Sequence, residues 1–183
     1  MIRRALDGLY LAAGWLAGLF LLAIFLLMMA MSLGRLPILR LNVTDGDQFV
    51  AWCMAAVAFL GLAHTFRSGE MIRVGLLIDR LSGRTRRVFE IASLALGLAF
   101  IGFFAWHAVG FVRDSFRFDD MAQGVLPVPL WIPQLGYVSG LLILAVAFLD
   151  EFVHVLRGGD PRYEKPPPRT AEEAVERAAA SAV

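Results

Sequence analysis

The chain has 183 residues, of which 58% are hydrophobic and 18% are charged, and its mean hydropathy is +0.67. This composition is too apolar for an ordinary soluble domain and indicates that the lipid bilayer is its main solvent. Because one helical crossing takes about 20 apolar residues, the length allows four or five spans and leaves little room for a soluble catalytic domain. The single cysteine, Cys53, excludes an intrachain disulfide, a four-cysteine zinc site and a cysteine-ligated iron–sulfur cluster within this chain.

Four long apolar runs, separated by polar connections, predict an all-α membrane protein with four transmembrane helices. The first run has no charged side chain between Gly8 and Gly34, and it is too long for the core of a secretory signal. The second run is interrupted only by His64 and the third only by His107. The predicted spans are residues 9–31, 49–66, 91–112 and 130–149, within a membrane domain of residues 1–156.

The basic residues fall mostly on one side of the predicted membrane. The formal net charge is only +1, but the Lys and Arg counts of the five successive segments outside the spans are 2, 2, 6, 2 and 5. The odd-numbered segments therefore hold 13 basic residues and the even-numbered segments hold 4. Since short basic loops stay in the cytoplasm, we expect both termini and the loop of residues 67–87 to be cytoplasmic.

The loop between the second and third spans has the pattern of an amphipathic helix at residues 70–82. At about 100° per residue its apolar side chains gather on one arc and its arginines on the other. We expect this helix to lie in the plane of the cytoplasmic interface, with its arginines among phospholipid headgroups. The predicted lipid contacts are Arg73, Arg80, Arg84 and Arg87. The alternative is a loop whose arginines only fix the topology.

The composition changes completely after Leu156, and residues 157–183 predict a disordered cytoplasmic tail. Two glycines and one proline within residues 158–161 and three prolines at residues 166–168 interrupt any regular structure. Such a segment cannot bury enough apolar surface to fold alone. The Ala- and Glu-rich run near its end has helical composition, but an isolated helix of this length is marginal in water.

The sequence lacks the motifs of an enzyme. It has no phosphate-binding glycine loop, no metalloprotease helix motif and no serine nucleophile elbow. None of the predicted spans carries a charge at its midplane, where an active transporter would need one. We therefore predict no catalytic, substrate-binding or metal-binding residue, no cofactor and no nucleic-acid partner.

The histidines leave one other function open. His64 and His154 are expected at similar depth near the cytoplasmic ends of the second and fourth helices, where they could ligate a haem between them. Both lie near the lipid–water boundary beside charged residues, whereas haem histidines usually lie within the bundle. The alternative function is a haem-binding or plain membrane-anchor subunit of a respiratory or redox complex.

A pair of small residues in the first predicted helix favours helix packing. Gly14 and Gly18 have the four-residue spacing that lets two helices approach closely in a membrane. Such spacings are frequent in apolar helices by chance. We nevertheless expect the face that carries Gly14 and Gly18 to meet another helix.

Two segments carry a resemblance to a known family. At the end of the second helix Phe59–Ala63 is followed by Arg67–Val74, and Val128–Pro133, with two prolines and a tryptophan, opens the fourth helix. With the four-helix topology, these segments resemble the small membrane subunit of a tripartite ATP-independent periplasmic (TRAP) transporter, the Q component of the DctQ type, over about residues 9–155. Family members usually have a histidine and an aspartate where this chain has Met71 and Gly75, so no polar role is carried over to those positions.

The resemblance implies a division of labour among three proteins at the bacterial inner membrane. A large multi-span membrane subunit would carry the substrate and sodium sites, and a periplasmic binding protein would deliver an organic acid such as a dicarboxylate. The small subunit would be a non-catalytic scaffold that packs against the large subunit and helps to dock the binding protein. Charged residues of the two outer loops would then contact the partners or remain solvated: Arg35, Arg40, Arg113, Arg117, Asp119 and Asp120.

Overall fold

The computed structural model describes residues 2–36, 43–68 and 83–159. In this part of the chain four α-helices follow one another: α1 (Ile2–Gly34), α2 (Gly46–Ser68), α3 (Gly83–Arg117) and α4 (Trp131–Leu156). All four are long and apolar enough to cross a bilayer, and no strand occurs among the described residues. The prediction of an all-α protein with four transmembrane helices is confirmed.

The helices are longer than the predicted spans. Helix α1 begins seven residues before predicted position 9, and α3 begins eight residues before predicted position 91. Helical hydrogen bonding continues past the hydrocarbon because the flanking residues include Ala, Leu and Arg, which favour helix. The in-plane helix predicted at residues 70–82 lies outside the described residues, as does the tail from residue 160 onward.

The helices pack in a row in the order α1, α2, α4, α3. Helix α2 packs extensively against both α1 and α4, and α3 packs extensively only against α4. Helix α1 reaches α4 at a few points, whereas α2 and α3 make little or no contact with each other. Large apolar side chains consequently stay exposed on every helix, and Trp106 on α3 is 80% exposed. Such faces meet lipid or another protein.

The close approach of α4 to α2 depends on two glycines of α4. A Cβ atom at Gly140 would lie 2.5 Å from backbone atoms of Phe59 and Leu60, and one at Gly136 would lie 2.9 Å from the Cβ of Ala56. Both positions therefore require glycine for the helices to stay at this distance. Gly136 and Gly140 are four residues apart, the same spacing that marked α1 in the sequence, and small residues at this spacing are common in membrane helix interfaces.

In the C-terminal half of α4, one aromatic side chain joins this helix to both of its neighbours, α2 and α3. The Phe148 ring stacks on the Phe66 ring of α2, with ring centroids 4.1 Å apart. The same ring fills the space beside Gly97 of α3, where a Cβ atom would lie 2.7 Å from it. Phe66 belongs to a buried apolar cluster to which all four helices contribute: Tyr10, Ala63, Phe66, Leu94, Leu144, Ala147 and Val155. Helix α4 is thus the central element that holds α2 and α3 in place.

Replacing Gly140 with alanine is expected to destabilise the α2–α4 pair. The added methyl group would overlap backbone atoms of α2, which cannot move aside by changing rotamer. Overpacking of this kind costs roughly 1–3 kcal/mol. We expect Gly140→Ala to lower the midpoint of thermal unfolding in detergent, measured by circular dichroism.

Gly61→Ala is the matched control for this substitution. A Cβ atom at Gly61 of α2 would have nothing within 4 Å, and alanine favours helix over glycine. This variant should unfold at or slightly above the wild-type midpoint. Equal midpoints for Gly140→Ala and Gly61→Ala would show that α2 and α4 are not in close contact at Gly140.

Candidate functional site: the outer surface

Helix α2 begins and α3 ends at the same end of the helix row. The distribution of basic residues predicts that this end is periplasmic, and it is called the outer end. Residues 118–130, which connect α3 to α4, fold back on themselves there. The Ala122 N–H donates to the Val128 carbonyl at 2.9 Å, and the Leu130 N–H donates to the Asp120 carbonyl at 2.9 Å. An isolated antiparallel bridge lies between these two bonds. The connection, called the outer loop here, therefore has a defined shape.

Asp45 fastens the outer loop to the start of α2. The backbone N–H of Leu126 donates to Asp45 Oδ2 at 2.7 Å, across 81 positions of sequence. The Asp45 carbonyl accepts the N–H groups of Gln48 and Phe49, and its φ of 56° lies in the left-handed region. Gly124 leaves room for the carboxylate, since a Cβ atom there would lie 2.7 Å from Oδ2. The outer loop is thus joined to the residue that precedes α2.

A buried polar pair joins α3 to α4 just below this surface. Gln134 Nε2 donates to Ser115 Oγ at 3.0 Å, and Ser115 is only 1% exposed. Within the described part of the chain, Gln134 Oε1 is buried without a hydrogen-bond partner. Phe116 and Trp131 add an edge-to-face ring contact with centroids 5.7 Å apart. These contacts fix the outer loop at both of its ends.

The charged residues that the sequence predicts as partner contacts lie in two separate places in the structure. Arg113, Arg117, Asp119 and Asp120 are all exposed at the end of α3 and in the outer loop. Arg35 is exposed directly after α1, at the other end of the helix row. Arg40 lies outside the described residues. A partner that contacts the first four residues therefore has to reach across α2 and α4 to meet Arg35.

The outer loop also exposes apolar side chains that the sequence analysis missed. Val125 is 78% exposed and Phe118 is 69% exposed, with Met121 at 47% and Leu126 at 41%. The Arg117 guanidinium lies over the Phe118 ring, 5.9 Å from its centroid. Exposed apolar groups rimmed by charges are typical of protein interfaces. Their signal in the sequence is the unusual frequency of large apolar residues in a segment with turn-forming Gly and Pro.

At the opposite, inner end one predicted lipid contact has a structural bond as well. Arg87 Nη2 donates to the Val155 carbonyl at 3.4 Å, so this guanidinium lies at the C-terminal end of α4, where a positive charge is favourable. Arg86 forms an ion pair with Glu90 at 3.1 Å. Arg73, Arg80 and the side chain of Arg84 lie outside the described residues, so their contact with headgroups stays a prediction.

The two glycines proposed for helix packing have different surroundings. A Cβ atom at Gly14 would lie 3.0 Å from the His64 imidazole of α2, whereas one at Gly18 would have nothing within 4 Å. The buried small residues of α1 are instead Ala13 and Ala17, which pack with Ala56 and Leu60 of α2. Gly14 thus also faces α2, beside Ala13 and Ala17, while a helix partner for Gly18 stays a prediction.

The two histidines of the haem alternative have different neighbours. His64 lies against Gly14 of α1, and His154 lies against Gly159, just beyond the end of α4. Among the residues that the structure describes, no group of three or more His, Cys, Asp or Glu side chains is arranged to hold a metal ion. No observation in the described residues brings the two rings to a common site.

Asp45→Gly is expected to release the outer loop from α2. The change removes the acceptor of the Leu126 N–H while keeping the φ of 56° accessible, because glycine adopts the left-handed region freely. We expect faster hydrogen–deuterium exchange in residues 122–128, measured by mass spectrometry in detergent. The matched control is Asp119→Gly, since Asp119 has the same φ of 56° and lies in the outer loop itself. Equal exchange in the two variants would contradict the anchoring role of Asp45.

The four long apolar helices define a multi-span helical membrane protein. The hydrogen bonds described above between its elements lie near the helix ends. A family model described as "Tripartite ATP-independent periplasmic transporters, DctQ component" matches residues 24–158. The chain belongs to this family, as its motifs predicted, and it is a multi-pass protein of the inner membrane. The matched segment includes the end of α1 and all of α2, α3 and α4.

The chain is also similar to one curated protein with a more specific description. The chain is 27% identical over 104 residues to the C4-dicarboxylate TRAP transporter small permease protein DctQ of Rhodobacter capsulatus. The aligned part makes up 57% of this chain and 45% of that protein, so the chain spans less than half the length of this relative. No solved structure matches the chain significantly.

Proposed function

We propose that this chain is the non-catalytic small subunit of a sodium-coupled TRAP transporter that imports a C4-dicarboxylate or a similar organic acid. It packs against the large multi-span membrane subunit as a scaffold and helps to dock the periplasmic substrate-binding protein. The observation that carries the proposal is the match of the DctQ-component model over residues 24–158. The substrate class follows the name of the Rhodobacter capsulatus relative.

The outer surface supports the docking role. Its loop is held in one shape by backbone hydrogen bonds and by Asp45, so little conformational entropy is lost when a soluble partner binds. Exposed apolar groups, including Val125 and Phe118, lie beside charges of both signs. Apolar area supplies affinity and charges supply steering and orientation, which suits a partner that arrives and leaves repeatedly.

The proposal places both chain termini in the cytoplasm. Four crossings return the chain to the side on which it started, and the basic residues favour the side of residues 67–87. In a Cys53→Ser background, an impermeant maleimide should label Val125→Cys in intact spheroplasts and should label Arg157→Cys only after permeabilisation. Both positions are exposed in the structure, so a difference in labelling would show that they lie on opposite sides of the membrane. The reverse labelling pattern would overturn the orientation.

Transport is expected only when three proteins are present. Proteoliposomes with this chain, the large membrane subunit and the binding protein should accumulate a labelled dicarboxylate under an inward sodium gradient. Omitting this chain should reduce uptake to the background level, because the large subunit loses its scaffold. Liposomes that hold this chain alone should take up nothing. Uptake by the chain alone would refute the scaffold role, and full uptake without it would show that it is dispensable.

A further inference from the structure

A groove runs along one face of α4, between α2 and α3. It is open on one side and has a volume of about 930 Å³, and its floor is α4, with Tyr137, Leu141, Leu144 and Phe148. Phe59 and Leu62 of α2 form one wall, and residues of α3 form the other: Phe100, Ile101, Phe104, His107, Ala108 and Phe111. The groove exists because α2 and α3 each pack on α4 but make little or no contact with each other.

The width of the groove suits a helix. Packed helices lie about 8–10 Å apart, so two helices placed on either side of a third leave a slot about one helix wide above it. The wall of α3 is rich in exposed aromatic rings, with Phe100 at 64%, Phe111 at 58% and Phe104 at 48%. Rigid aromatic side chains give large contact areas at low entropic cost, which is why interfaces are enriched in them.

Polar groups in the outer half of the groove distinguish a protein occupant from a lipid tail. His107 and Asp114 of α3 and Tyr137 of α4 all line the groove. In the described part of the chain none of their side chains forms a hydrogen bond, and the His107 ring only packs on Phe103 with centroids 4.4 Å apart. An imidazole at this depth of a span is costly unless a partner supplies a hydrogen bond. An acyl chain offers none.

We propose that this groove receives a transmembrane helix of the large membrane subunit, with a polar side chain of that helix hydrogen-bonded to His107. The inference rests on the proposed function, because that function supplies the partner. It adds which face of the row is the interface: the concave face of α2, α4 and α3 binds the partner, and the opposite face of α3, which carries Trp106 and Val109, meets lipid.

Photo-crosslinking in the assembled complex tests this assignment. p-Benzoylphenylalanine is placed at position 104 or 111 in the groove, or at position 106 or 109 on the opposite face of α3. All four native side chains are exposed, so the probes are comparable. After coexpression and illumination in membranes, we expect adducts with the large subunit from positions 104 and 111 and none from positions 106 and 109.

A second measurement tests the polar contact. His107→Leu should weaken copurification of the large subunit in mild detergent by about threefold, since interhelical hydrogen bonds in membranes contribute modestly. The neighbouring control Trp106→Leu should leave copurification unchanged. Leucine is favourable in a transmembrane helix, so both variants should insert into the membrane at the wild-type level.

The outcomes separate the inference from the proposed function. If the wild-type chain copurifies with the large subunit but crosslinks to it only from positions 106 and 109, the groove assignment is wrong and the proposed function stands. Adducts at position 104 with lipid alone, or with a second copy of this chain, overturn the assignment in the same way. If the wild-type chain does not copurify with the large subunit at all, the proposed function fails and the inference fails with it.

Discussion

The close approach of Gly136 and Gly140 of α4 to α2 is the packing constraint on which the other features depend. In a bilayer, apolar side chains gain little by leaving lipid for another helix, so association relies on close packing and on hydrogen bonds. A Cβ atom at Gly140 would lie 2.5 Å from the α2 backbone, which means that only glycine allows this approach. Helix α4 packs closely on α2 with one face and packs on α3 with another. The groove between α2 and α3 follows from that placement.

The same arrangement fits the scaffold role proposed for this chain of 183 residues. A row of four helices buries few of its own side chains, and large apolar groups remain available on every helix. A compact four-helix bundle would spend those surfaces on its own core. The row instead offers a broad area for a partner in the membrane, while hydrogen bonds at Asp45 and between Ser115 and Gln134 keep its outer end in one shape. Among the described residues, each of these two contacts joins two different elements of the chain.

The sequence predicted the helices because uninterrupted apolar runs of about 20 residues have few other stable structures. It could not predict the row order, since helices that are apolar all round give no sign of which face meets which neighbour. Gly14 and Gly18 have the same spacing as Gly136 and Gly140, but both glycines of α4 lie tightly against α2, whereas Gly18 has nothing within 4 Å. Asp45 likewise gave no signal, because its partner at Leu126 lies 81 positions away. The outer charges were predictable as exposed, but the apolar groups between them depended on the fold of the loop.

The scaffold role proposed for this chain makes it a fixed frame against which another membrane subunit works. Its most direct test is a pulsed electron paramagnetic resonance distance between spin labels at Met54 of α2 and Trp106 of α3, both exposed, in a Cys53→Ser background. The labelled chain would be assembled with the large membrane subunit and measured without sodium and substrate, then with both, under conditions in which transport is confirmed. The same distance distribution is expected in every state, because α4 holds α2 and α3 together. A shift of several ångströms between states would show that the row deforms during transport and would contradict the scaffold role.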